Sequence, residues 1–566
     1  MDEQKLNKLL RASVLAAIVL LGLAVRLRGH QTMSMWYDEG FSMVLIEKPW
    51  PEMMHVIRTD DHPPLYYYLL RAWMNLAPQG SDLHVAWARL LSILFGLATI
   101  TATYLLAAGL FREQSSALRL GALNEAANTS PPPAKASWAS VFPRHVRIGL
   151  IASFFTALAP FMVHYSHELR MYALLGLLSA LAYWIVWRLR ERWDWRLAMV
   201  WSALATGMMY THYYSLAAVS GMFFCLGAWR WQQTRQWGKT LVTLGLLGGA
   251  VFLVYWHWLF WFFVQVQNNT SEGVHAFSGS LPLHQQLAYF ADPFLGRFPQ
   301  VPGEGLYQPF TGYPFPLTPG KKILLFAIMV LALFGKTLWT LRRQRPLLVF
   351  LACCLAYPLL LTLFYQYGLH GRFFGRLLIL YWALFFTIIA YGAQSFRRPW
   401  INICAVLLIG AFFASSVKLY GEQDERSVTR FVHHDILTQH PDLPVYHTEA
   451  WSLLPLMARE RMNPRHHYLV HDESSYISQV VAGRERLISP GRAATEISYP
   501  CLLVVFKEIY LNDHVEREQA KFETSQKFLK LFFPVGIQAQ SIYNIGRRKW
   551  CQVFLIERPP PAANDR

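Results

Sequence analysis

Charge is what this sequence has least of. Only 15% of its 566 residues are Asp, Glu, Lys or Arg, where an ordinary globular domain carries about a quarter. Cysteine is scarce too, and six residues exclude a disulfide-built scaffold. Carboxylates are the rarer sign: 35 Asp and Glu stand against 52 Lys and Arg, for a net charge of +17. The first apolar run lacks a small-residue cleavage site, so no cleavable signal peptide is evident. No internal repeat is visible either, which argues against the paired halves of many secondary transporters.

What the chain has instead is apolar length. Hydrophobic residues make up 54% and aromatics 15% of it. Eleven runs approach the roughly 20 residues that cross a bilayer, at about 9–27, 87–111, 147–163, 172–190, 196–212, 214–230, 239–260, 321–341, 346–365, 376–395 and 400–419. This predicts an all-α polytopic membrane protein. A basic chain can bind nucleic acid, but here the basic residues fill short connections on one side. Lys5, Lys8 and Arg11 precede the first span, Arg112, Arg119, Lys135, Arg144 and Arg147 follow the second, and Arg188, Arg190, Arg192 and Arg196 the fourth. Arg230, Arg235 and Lys239, then Arg342, Arg343 and Arg345, then Arg397 and Arg398, follow the sixth, eighth and tenth. The positive-inside rule makes that side and the amino terminus cytoplasmic, and the pattern implies a lipid bilayer and no nucleic acid. Arg26 and Arg28 are the exceptions.

Residues 1–419 therefore read as a transmembrane domain, with loops 28–86 and 261–320 outside. The insert 121–140, "GALNEAANTSPPPAKASWAS", reads as disordered. Residues 420–566 change character: charge rises and strand-like runs such as "CLLVVFKEIYL" appear. They predict a soluble α/β domain, extracytoplasmic because the span count is odd. Its Cys501 and Cys551 would share an oxidising space and are the one pair to consider for a disulfide. Cys225, Cys353, Cys354 and Cys404 fall within spans and read as packing residues.

Polar chemistry collects in the outer segments. "WYDEGFS" (36–42) places Asp38 and Glu39 beside the first span, where carboxylates need solvent, a partner or a job. In "TDDHPPLYYYLLRAWMNL" (59–76) a helix starts at the prolines, and Tyr66, Tyr67 and Tyr68 read chiefly as an interfacial belt. "HYSHELRMYALL" (164–175) packs His164, His167, Glu168 and Arg170 into a tight junction, with Glu168 one helical turn from His164 and from Tyr172. An ion pair closing a helical hairpin is the plainer reading of that segment. In "LHGRFFGRLLIL", Arg372 and Arg376 are spaced i, i+4 and face the same way; snorkelling to headgroups explains them, and so does a phosphate site.

Taken together, "WYDEGFS", "DHPPLYYYLL", "YSHELRMYALL" and "THYY" (211–214) resemble the polytopic glycosyltransferases of the GT-C fold. The likeness is greatest to glycosyltransferase family 39, the protein O-mannosyltransferase and lipid A aminoarabinose transferase branch, and spans about residues 10–400. It implies a polyprenyl-phosphate sugar donor, a lipid, glycan or protein acceptor, and transfer outside a plasma membrane, the bacterial inner membrane being the natural setting. By that analogy the acidic pair is catalytic, with Asp38 the general base for inverting attack and Glu39 beside it. Arg170, Arg372 and Arg376 become candidates for the donor phosphate; His62, Glu168, Tyr172 and His212 become candidates for substrate binding. "HGRFFGR" departs from the Arg-Tyr pair more usual in relatives. No cofactor is required, although Asp38, Glu39, Glu168, His164 and His167 offer oxygen and imidazole ligands for a divalent metal. The competing readings are a ligase or polymerase using a polyprenyl-diphosphate glycan, and a transporter or flippase.

Overall fold

The computed structural model describes residues 3–28, 30, 35, 37–60, 62–78, 84–112, 141–271, 319–368, 375–417, 432–448, 450–461, 463–469, 487–489, 493, 495–508, 514–533, 537–545 and 549–557. The insert 121–140 lies outside them, as does most of the loop 261–320. Each of the eleven expected runs is helical over most of its length. By length and composition, five helices among the described residues can each cross a bilayer: Glu3–Leu27, His84–Leu110, Tyr172–Glu191, Trp237–Gln265 and Arg345–Phe364. Large apolar side chains stand exposed along this region, Leu253 at 76% and Leu331 at 68% among them. In water such surface is costly; hydrocarbon accommodates it.

His84–Leu110 is the central rod. Its buried Ala88, Ser92, Gly96, Thr99, Thr103 and Ala107 recur every three or four residues, and small side chains on one stripe let neighbouring helices come close. A Cβ on Gly96 would lie 2.1 Å from Ser166 Oγ. Only glycine fits there.

The third expected span is not straight. Arg144–Leu158 and Pro160–His167 meet at a bend of 54°. Pro160 has no N–H to give to the carbonyl four residues back, and in hydrocarbon a freed carbonyl needs another donor. Arg26 supplies it: its guanidinium donates to Thr156 O at 3.3 Å and to Ala157 O at 2.9 Å, and to Ser166 Oγ at 3.0 Å. The arginine that broke the charge rule is thus fully buried and repairs a helix break. The ninth expected span is also irregular, with a π-helical turn at Ala352–Ala356. The tenth begins as a 3₁₀ turn, Gly375–Leu380, before helix Trp382–Ala393.

Beyond the membrane region lies a six-stranded sheet of order β3-β2-β1-β4-β6-β5. Strands β1 (Val445–His447), β2 (His466–Leu469), β3 (Leu487–Ile488) and β4 (Cys501–Glu508) run parallel, while β5 (Gln538–Ile545) and β6 (Lys549–Glu557) add an antiparallel edge. Both faces are covered. Cys501, Leu503, Val505 and Ile556 enter one cluster; Leu502, Val504, Cys551 and Val553 enter the other. This is the expected α/β unit, but the disulfide expectation fails. Cys501 pairs with Ile556 and Cys551 with Phe506, so the two sulfurs lie on opposite faces and about 17 Å apart at ~3.4 Å per residue. Both are free thiols.

Among the described residues, the two regions meet most closely at one helix pair. Helix Ala450–Arg459 lies against helix Tyr37–Glu47 at Gly40, where an added Cβ would sit 2.6 Å from the Pro455 nitrogen and 2.7 Å from the Leu454 carbonyl carbon. Leu453, Leu454, Met457 and Tyr468 join the same packed cluster as Met35, Phe41 and Tyr67. The sheet domain and the first loop are therefore at one end of the molecule.

Candidate active site

Asp38 and Glu39 occupy the first turn of helix Tyr37–Glu47, where the helix dipole favours negative charge. Successive helical residues point about 100° apart. That rotation gives the two carboxylates different surroundings. Glu39 turns inward and is buried, gripped bidentately by Arg89, with Nε to Oε1 at 3.1 Å and Nη2 to Oε2 at 3.0 Å. The Leu169 amide donates to the same carboxylate at 3.2 Å, and Arg89 Nη1 spends its proton on His30 O at 2.8 Å. Asp38 turns outward. Its side chain keeps 18% of its surface, and its Oδ2 is 3.7 Å from Arg170 Nε.

Arg170 stands on the non-helical link between helices Pro160–His167 and Tyr172–Glu191. Its Nη1 donates to the Tyr67 hydroxyl at 3.1 Å, and its Nη2 lies 3.3 Å from His62 Nε2. Burial alone would lower its pKa; Tyr67, Asp38, Tyr172 and Asp60 around it raise it, and the guanidinium stays charged. The Tyr67 hydroxyl is pushed well above its ordinary range by burial. So a neutral hydroxyl and an imidazole surround a fixed cation that faces Asp38.

The first loop is pinned in place by the "YTHYY" turn, because the Leu65 amide at the start of helix Leu65–Met74 donates to Tyr210 O at 3.0 Å. That brings His62 against His212, ring centroids 5.7 Å apart, with Tyr172 6.4 Å beyond. Asp38, His62, Arg170, Tyr172 and His212 thus come from four separate segments into one neighbourhood. Glu168 stands apart, paired with His164 at 2.9 Å as the i, i+4 spacing foretold. Its expected turn with Tyr172 does not form, since Glu168 is extended. Nor do Glu168 and Arg170 close the hairpin together: Arg170 turns to Asp38.

Other expectations change as well. Tyr66 and Tyr67 are not an interfacial belt. Both are buried, with the Tyr66 hydroxyl 3.0 Å from Ser92 Oγ and that of Tyr67 on Arg170. Among the described residues no three His, Cys, Asp or Glu side chains gather as a metal site. Of the five suggested ligands, Glu39 is held by Arg89, and His167 bonds the Arg26 carbonyl at 2.5 Å. Arg372 and the side chain of Arg376 lie outside the described residues. The 3₁₀ turn at Arg376 is not the α-helix on which their shared face was argued.

Three participants were missed in the sequence. Arg89 had a signal, a lone charge inside an apolar run, which marks pairing or function by default. Asp60 sat beside the chosen "DHPP" motif. Tyr67 was hidden among three tyrosines whose directions only the fold decides.

No family model and no curated protein matches this sequence. Solved structures do. ArnT from Cupriavidus metallidurans, in the apo state, superposes with a TM-score of 0.54 at 12% identity, covering 97% of this chain and 99% of that one. The same ArnT bound to undecaprenyl phosphate gives 0.52 at 13% identity, over 96% and 97%. The chain has the GT-C fold. The match runs through the sheet region as well as the helices, so the GT-C likeness embraces both parts described above. An oligosaccharyltransferase of Archaeoglobus fulgidus, in complex with zinc and sulfate, also appears, with a TM-score of 0.47 at 10% identity over 97% of this chain and 74% of that one.

Proposed function

We propose that this protein is a membrane glycosyltransferase that moves a sugar from a polyprenyl-phosphate donor to an acceptor hydroxyl, on the extracytoplasmic face, with inversion. One observation carries the reading. Of two adjacent carboxylates, Glu39 is sealed in a bidentate pair while Asp38 stays partly open beside a buried arginine. The ArnT that shares this fold binds undecaprenyl phosphate, which is the leaving group such a reaction would release.

In this scheme Asp38 accepts the proton of the acceptor hydroxyl. The oxygen attacks the anomeric carbon from the side opposite the phosphate, the bond from that carbon to the phosphate oxygen breaks, and polyprenyl phosphate departs as an anion. A positioned base contributes about 10²–10⁴-fold. Arg170 is the candidate cation beside the reacting groups, placed to stabilise charge on the departing phosphate; Arg372 and Arg376 remain proposals for the same task. His62, Tyr172 and His212 line the approach for substrate. Glu39 holds the helix that carries Asp38.

The test is release of polyprenyl phosphate. Purified full-length protein in lipid nanodiscs should convert an undecaprenyl-phosphate sugar to undecaprenyl phosphate in the presence of envelope extract, with the sugar appearing on an extract component by mass spectrometry. Consumption of only a diphosphate-linked glycan would favour the ligase reading, and no consumption of either donor would remove the transferase.

A further inference from the structure

Asp60 stands in the stretch 59–76 without a role assigned to it from the sequence, yet two of the groups that hold Arg170 converge on it. It caps helix Trp50–Thr59, its amide donating to Val56 O at 2.9 Å. That helix end is tied down by Gln265, whose Nε2 donates to Ile57 O at 2.7 Å. From there Asp60 Oδ2 receives the Tyr67 hydroxyl at 3.5 Å and lies 3.5 Å from His62 Nδ1. Tyr67 and His62 are also the partners of the two Arg170 Nη groups, at 3.1 and 3.3 Å.

Proton counting gives this arrangement a direction. Arginine is donor-only, so the Tyr67 oxygen and one His62 nitrogen must both accept from it. A tyrosine that accepts from Arg170 still has one proton to give. Arg170 Nη2 lies 3.3 Å from His62 Nε2 and 3.4 Å from Nδ1. The Asp60 oxygen 3.5 Å from Nδ1 favours the tautomer with its proton on Nδ1, which leaves Nε2 to accept. Both protons point to Asp60, and an ionised carboxylate is acceptor-only. We infer that Asp60 is a positioning residue for the reaction: it fixes the hydrogen-bond direction of Tyr67 and His62 and thereby aims Arg170 at Asp38 and the departing phosphate. This rests on the transferase reading above. Both contacts fall on the one oxygen Oδ2, so an asparagine could still accept from both through its carbonyl, whereas an alanine at position 60 would leave neither partner an acceptor there.

A double-variant cycle on the full-length protein in nanodiscs tests this, with release of undecaprenyl phosphate as readout. Asp60→Ala should lower turnover about 10-fold, the scale of one charged hydrogen bond, and Arg170→Ala about 100-fold. The double variant should match Arg170→Ala within about 3-fold, because a residue that works through Arg170 has nothing left to aim. Tyr67→Phe provides a second arm in case Asp60→Ala folds poorly: it too should lower turnover and add little to Arg170→Ala. Losses that multiply in both doubles would show independent structural roles and overturn the inference while leaving the transferase intact. Absence of transfer by the unchanged protein would remove the transferase and the inference together.

Discussion

The polar cluster around Arg170 and the one around Glu460 are both set in apolar surroundings, yet they are built to different tolerances. In the sheet domain, Glu460 accepts from Arg465 Nε at 2.7 Å and meets His466 Nε2 at 3.0 Å, and His466 Nδ1 meets His447 Nε2 at 2.9 Å. Arg465 Nη2 also donates to Glu460 Oε1 at 2.5 Å, and other Arg465 protons go to backbone carbonyls, including those of Leu437 and Leu443. That network is closed. Around Arg170 the contacts run from 3.1 to 3.7 Å, and Asp38, His62 and Asp60 keep 18%, 16% and 13% of their side chains exposed. Short contacts with every group committed hold a fold together; longer ones with surface to spare leave room for a ligand's atoms. Glu39 and Arg89 follow the closed pattern one residue away from the open one. Breaking a closed cluster should cost stability, and breaking the open one should cost turnover.

The largest loss of stability is expected at Arg89. Arg89→Ala leaves Glu39 as an uncompensated buried charge, which costs about 3–5 kcal/mol, and protein yield and thermal stability should both fall sharply. Arg89→Lys should recover only part, since an ammonium cannot replace the bidentate grip. A variant as stable as the parent would place Glu39 outside the closed class.

Gly40→Ala comes next. Its new methyl must displace the backbone at Leu454 and Pro455, an overpacking cost of about 1–3 kcal/mol. The sheet domain should become more accessible to limited proteolysis, and turnover should drop because the helix that carries Asp38 loses its backing. Unchanged proteolysis would mean that the two regions part more easily than their contact suggests.

Glu460→Gln should have the smallest effect, about 0.5–1.5 kcal/mol in the sheet domain, with turnover per folded molecule unchanged. Burial pushes the Glu460 carboxyl up, but bonds from His466 and Arg465 outweigh it and hold the pKa down at about 2. A carboxyl lowered on folding stabilises the protein above its ordinary pKa of about 4.5, and that contribution disappears as pH falls toward about 2. Acid unfolding of the parent between about pH 5 and 2 should therefore be steeper than that of Glu460→Gln. Parallel curves would show that Glu460 is not held as its contacts imply.

Much of this architecture was legible in the chain. Apolar run length gave the helices, and the rise in charge after residue 420 marked the sheet domain. The i, i+4 spacing of His164 and Glu168 gave their pair, because one helical turn is local geometry. What failed was what only tertiary structure decides. Asp38 and Glu39 are neighbours in sequence, but which of them is sealed depends on Arg89, fifty positions on. Tyr66 and Tyr67 face inward because Ser92 and Arg170 wait there. Cys501 and Cys551 were matched by compartment, and strand register separates them. Arg26 looked like an error of topology until the break at Pro160 supplied carbonyls for it; a proline within an apolar run beside an unexplained arginine is a signal that could have been read.

The most direct test of the account is Asp38→Asn, assayed for turnover and for donor binding in the same preparation. The amide keeps the shape of the side chain but cannot take the acceptor's proton. Turnover with an undecaprenyl-phosphate sugar should fall by about 10²–10⁴-fold, while thermal stability and donor affinity stay close to those of the parent. Near-normal turnover by the Asn variant would contradict the account, because the open carboxylate would then have no part in the chemistry.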